Sequence, residues 1–187
     1  MKSFIIFSIA LISHISSHAH NVSGSGFIHP LIGIDHLLAM IAVGALSVQL
    51  GGRAIYMLPL SFLCAMLLGG IVGFEQYKLY YTEIGIVFSV ALLGVAIGMK
   101  TRLSLVLAVV GVAIFGVCHG YAHGVEQPFT ENQFSYAAGF LFTTACLHFI
   151  GAFGADLIHK RINKGSKVLQ ALGFATAFVG VGLMFQL

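Results

Sequence analysis

The chain has 187 residues, 58% of them apolar and only 8% charged, with a formal net charge of +3. A soluble domain carries about 25% charged residues, so this composition excludes one and indicates an integral membrane protein. The Lys and Arg side chains are divided among short connections and build no basic patch, which removes nucleic acid as a partner.

Met1-Lys2, an apolar run from Phe4 to Ile12 and then Ser17-His18-Ala19 follow the grammar of a signal peptide. The run is too short to cross a bilayer, which needs about 20 residues. Cleavage after Ala19 is expected, with an uncleaved anchor extended to Ile15 as the alternative. A single domain of residues 20–187 would remain, with His20 at its tip as a candidate point of metal capture. Six apolar segments follow, approximately residues 27–50, 54–75, 84–99, 103–123, 134–158 and 168–187. Each is near the length of a spanning helix, so the expected fold is all-α, a polytopic bundle of six transmembrane helices.

Loop charge orients this bundle. With the mature N-terminus outside, the cytoplasmic loops carry Arg53, Lys100, Arg102, Lys160, Arg161, Lys164 and Lys167, and the outer loops only Lys78. That is the positive-inside pattern, and it places both mature termini outside the cytoplasm. Glu83, Glu126 and Glu131 fall outside, where they would raise the local cation concentration.

Ionisable side chains inside hydrocarbon mark function, because each costs several kcal/mol unless it is paired or faces a polar cavity. The first segment opens with His29-Pro30-Leu31-Ile32-Gly33-Ile34-Asp35-His36. Imidazole and carboxylate together suit a divalent transition metal. His36 lies about 10 Å deeper than His29 on a regular helix. Pro30 and Gly33 make this start pliable, and a bend or unwound turn would bring Asp35 towards the same cavity. The fourth segment ends Cys118-His119-Gly120-Tyr121-Ala122-His123-Gly124-Val125-Glu126. His119 and His123 are four apart, the spacing by which a helix offers two imidazoles to one metal. Both clusters are expected at the outer side, at overlapping depth. His148 in the fifth segment lies roughly 20 Å from the outer surface and is a candidate inner relay or a helix-to-helix hydrogen-bonding partner. Asp156 and His159 are expected to pair with Lys160 or Arg161 or to meet water. Met40 reads as packing. Cys64, Cys118 and Cys146 lie in apolar runs without zinc-motif spacing and read as buried hydrophobes, with Cys118 the one candidate soft ligand.

The signature His29-Pro30-x-x-Gly33-x-Asp35-His36, followed by Leu37-Leu38-Ala39-Met40 and Val43-Gly44, resembles the HupE/UreJ family of nickel and cobalt permeases, associated with hydrogenase and urease maturation. The resemblance continues through Gln49 to Arg53, Leu58-Pro59, Ala65-Met66, His119-Gly120-x-Ala122-His123-Gly124-x-Glu126, Tyr136-Ala137-x-Gly139-Phe140 and Leu147-His148. It implies secondary transport of Ni2+ or Co2+ into the cytoplasm, with His29, Asp35 and His36 essential. Many relatives carry a further histidine where this chain has Tyr121, and often phenylalanine where it has Cys118.

The residues themselves suggest a path. Acidic outer loops, Glu126 and His20 gather a hydrated cation, which exchanges waters for His29, His119 and His123. Asp35 and His36 take it deeper, and His148 receives it before release. The metal is substrate and no cofactor is expected. The partners are the ion and the bilayer, with an outer-membrane metal importer or a cytoplasmic nickel or cobalt chaperone as further candidates. No ATP-binding motif is present, so the reading is a carrier and not an enzyme. The rivals are an intramembrane zinc hydrolase using the same His/Asp cluster, a haem protein with facing axial histidines, a less fitting di-iron oxygenase, and a metal sensor without net flux.

Free histidine titrates near pH 6.5, and a protonated ring cannot ligate, so metal capture is expected to weaken as external pH falls through about 6. Binding of Co2+ or Ni2+ that stays flat from about pH 5 to about pH 8 would contradict a histidine site.

Overall fold

The structure, a computed structural model, describes residues 25–187. The expected signal peptide and His20 lie outside the described residues. Seven α-helices and no strands occur among them. They are α1 (His29–Ile32), α2 (Ile34–Leu50), α3 (Ala54–Phe74), α4 (Thr82–Gly98), α5 (Leu105–Val125), α6 (Gln133–Arg161) and α7 (Gly165–Met184).

The first apolar segment is divided as its residues require. Pro30 sits in the first turn of α1, where its missing N–H costs nothing. Gly33 then adopts an extended conformation, φ −76° and ψ 116°, and α2 starts afresh at Ile34. Gly51, at φ 71°, ends α2 in the left-handed half of the map that favours glycine, and its N–H still reaches Ser47 O at 3.0 Å. Ser104 accepts a hydrogen bond from the Leu107 N–H and opens α5. Asn132 accepts from the N–H groups of Phe134 and Ser135 and opens α6. α6 runs on to Arg161, past the expected limit at 158, with Asp156 bonded to Lys160 at 2.8 Å. α4 begins two residues earlier than expected, at Thr82.

By length and composition α3, α5, α6 and α7 can each cross a membrane. α2 and α4 are apolar and 17 residues long, and α1 precedes α2 across the Gly33 break. Three packed pairs organise the bundle: α3 with α5, α4 with α7, and α2 with α6. Small residues allow the pairing. Gly116, Gly120 and Gly124 on α5 face Phe62, Met66 and Gly70 on α3, and Gly69 and Gly73 return the contact to Val117 and Tyr121. On the other side, Gly94 and Gly98 meet Gly173, and Gly180 meets Ala91. Gly44 and Gly151 bring α2 and α6 together. Met40, Val43, Leu46, Leu58, Phe62, Met66, Val90 and Phe140 fill the space between the pairs.

A Cβ at Gly69 would collide with the Val117 carbonyl, so Gly69→Val is expected to destabilise the bundle by about 1–3 kcal/mol. Gly111, also inside a helix, has nothing within 4 Å of its would-be Cβ. Gly111→Ala should therefore be neutral or stabilising by up to roughly 1 kcal/mol. Thermal unfolding in detergent checks the pair, and equal melting temperatures for the two variants would contradict the packing described here.

Candidate metal centre

The break at Gly33 and the glycine seam between α3 and α5 deliver histidines from two distant stretches to one end of the bundle. His29 comes from α1, Asp35 and His36 from the first turn of α2, and His119 and His123 from the last turns of α5. His119 and His123 are fully buried. The His36 ring stands edge-on to both, with centroids 4.7 Å from His119 and 4.8 Å from His123. His29 meets His123 at 5.0 Å. The expectation that the two clusters share one depth is matched by these contacts.

Each outer ring has an acidic partner. Glu126, the C-cap of α5, places Oε2 2.6 Å from His29 Nε2. Asp35 Oδ1 accepts the backbone N–H of His36 at 2.8 Å and lies 3.0 Å from His36 Nδ1. A carboxylate only accepts, so His36 donates from Nδ1 and presents the lone pair of Nε2. That Nε2 is buried and has no hydrogen-bond partner. Neither do His119 Nδ1 or both ring nitrogens of His123. Unpaired buried polar atoms cost about 1–3 kcal/mol each, so a group of them on rings in mutual contact asks for a ligand. Imidazole nitrogens bind a transition metal at about 2.0–2.1 Å. Among the described residues no three His, Cys, Asp or Glu side chains are already drawn together at such geometry.

Aromatic side chains set the walls. Phe140 stacks on His123 with centroids 5.2 Å apart and planes 9° from parallel, and Tyr136 meets His29 edge-on. Phe62 lies between His119, at 5.4 Å, and His148, at 5.1 Å. His148 is buried against the same Phe62 ring, with both nitrogens unpartnered. It lines a groove of about 450 Å³ that runs past Pro59, Leu63 and Ala152 to Asp156. The Thr144 hydroxyl, one turn before His148, lies against the sulfurs of Met40 and Met66 at 3.3 and 3.6 Å. Cys118 packs against Gly85, and Tyr121 turns outward to accept the Leu79 N–H at 3.1 Å.

The sequence reading did not include Ser89, whose Oγ lies 3.1 Å from His119 Nε2. A hydroxyl in the middle of an otherwise apolar helix was its signal. Phe62 and Phe140 carried none, because an aromatic residue in an apolar run does not reveal what it touches.

Over residues 3–183 the chain matches the family described as HupE / UreJ protein. The chain belongs to the HupE/UreJ family. Protein HupE of Rhizobium leguminosarum bv. viciae is 36% identical to it over 173 residues, covering 92% of this chain and 88% of that protein. No solved structure matches the chain. This HupE/UreJ member is thus an all-helical membrane protein with a buried histidine cluster near one end of its bundle.

If Asp35 acts by orienting His36, Asp35→Asn keeps an acceptor for Nδ1–H and should weaken Co2+ binding less than Asp35→Ala, which is expected to lose roughly 10–100-fold. Titration of the purified variants reads the difference. Equal losses would point instead to direct ligation by the carboxylate.

Proposed function

We propose that this protein is a secondary carrier that imports a divalent transition metal, Ni2+ or Co2+, across the bacterial inner membrane. The observation that carries the proposal is the meeting of His36, His119 and His123, whose rings hold buried, unpartnered nitrogens, in a chain of this family. In this reading α2 to α7 are six spans and both mature termini are periplasmic. Glu126 and His29 form the mouth, where a hydrated cation begins to exchange water for imidazole. Glu126 in the mouth favours cations, and the rings favour those with affinity for nitrogen over Mg2+ or Ca2+. His36, His119 and His123 hold the ion next, with Asp35 orienting His36 and offsetting part of the charge.

Phe62 touches both His119 and His148, and in this reading its ring swings aside as the ion moves on. His148 then receives the ion and passes it towards the cytoplasmic end of α6. An inside-negative potential drives a divalent cation inward by about 4.6 kcal/mol per 100 mV, twice the value for one charge. That is sufficient without ATP, and proton coupling is not required. An outer-membrane importer upstream and a cytoplasmic nickel or cobalt chaperone downstream would complete the route.

The test is initial uptake of radioactive Ni2+ and Co2+, singly and in competition, in metal-starved cells carrying wild type or His36→Ala. Saturable uptake that falls to background in the variant, at equal protein in the membrane, is expected, and the competition names the preferred metal. Wild-type uptake by His36→Ala at sub-micromolar metal would end the proposal.

A further inference from the structure

We propose that Ser89 is a positioning residue for metal capture: its hydroxyl holds His119 in the tautomer protonated at Nε2, which leaves the Nδ1 lone pair for the histidine cluster. The consequence for metal rests on the carrier reading above, whereas the tautomer follows from the hydrogen bonds alone.

Ser89 lies in the middle of α4 and is fully buried. A serine hydroxyl has one proton to give. Ser89 Oγ is 2.6 Å from the carbonyl oxygen of Ile86, which can only accept, so the proton is used there. Oγ also lies 3.1 Å from His119 Nε2, towards which it now offers only a lone pair. Two acceptors do not bond, so His119 Nε2 carries hydrogen and donates. A neutral imidazole has one N–H, and its other nitrogen is then a ligand atom. That atom, Nδ1, is buried without a partner on a ring 4.7 Å from His36.

His36 is set by the same logic from another direction, because Asp35 takes its Nδ1–H and frees Nε2. The two rings therefore present unshared pairs fixed by outer partners, one a carboxylate from the same helix and one a hydroxyl from a neighbouring helix. Such partners fix both the tautomer and the orientation of metal-binding imidazoles. The difference between them has a use. A hydroxyl orients the ring without adding negative charge, which suits a ligand that must later give up its ion. Without Ser89 the ring is free to place its hydrogen on Nδ1, where it would point a donor at an arriving cation.

The full-length protein is purified in detergent with 15N-labelled histidine, and the His119 signals are assigned by their loss in His119→Asn. Wild type is expected to show Nε2 protonated and Nδ1 unprotonated in His119. Ser89→Ala should give mixed tautomers and a Co2+ affinity lower by roughly 10–100-fold, and Ser89→Thr, which keeps the oxygen, should recover both. Ser89→Cys, close in size and a weaker acceptor, is expected to lie between them and serves in its place if Ser89→Ala does not fold. The proposal is overturned if wild-type His119 carries its hydrogen on Nδ1, or if folded Ser89→Ala or Ser89→Cys keeps wild-type tautomer and affinity. If wild type binds neither Co2+ nor Ni2+ while the Nε2–H tautomer is still lost in Ser89→Ala, the carrier reading fails and the positioning of His119 stands.

Discussion

An imidazole nitrogen shut away from water needs a partner, and that requirement organises one end of this bundle. His36, partly buried, and His119 and His123, fully buried, keep four ring nitrogens shut from water and unpaired on rings that meet at His36. Asp35, Glu126 and Ser89 satisfy the outward-turned nitrogens of His36, His29 and His119. What remains unpaired is Nε2 of His36, Nδ1 of His119 and both nitrogens of His123, of which a neutral ring can offer one as a lone pair to a cation. Stability alone would favour apolar side chains in these places, since a partly satisfied polar group in a core is worse than none.

The arrangement depends in turn on backbone proximity. α3 and α5 approach closely only because Gly69, Gly73, Gly116, Gly120 and Gly124 remove side chains from their seam. The same approach seats Phe62 of α3 between His119 of α5 and His148 of α6. A β-carbon in the seam would move the walls of the cluster, so fold and site share one constraint. On the other side of the cluster, the helix breaks at Gly33, and His29 of α1 meets His123.

Much of this was legible from residue order, and the reasons are local. Pro30 and Gly33 announce a broken start, and the i, i+4 spacing of His119 and His123 announces a shared face. Signed loop charges and segment counting then put the two clusters at overlapping depth on one side, and His36 and His123 are in contact. What was not legible is lateral. Hydropathy does not say that α3 pairs with α5 while α4 pairs with α7, since every face of these helices is apolar. Hence the neighbours contributed by third helices, Ser89 from α4, Phe62 from α3 and Phe140 from α6, were beyond a reading along the chain. Asp35 shows the same limit at short range, because its bond to the adjacent His36 depends on the unwound turn before it. The Glu126–His29 pair also links residues that only the folded bundle brings together.

Net movement of metal is the central claim, and the most direct measurement uses the purified protein alone. Reconstituted into liposomes with a trapped fluorescent Ni2+ and Co2+ indicator and an imposed inside-negative potential, it should admit external metal saturably. The rate should exceed that of protein-free liposomes and fall when the potential is dissipated. Stoichiometric binding with no influx above protein-free liposomes would contradict the account and leave a metal-binding protein that transports nothing.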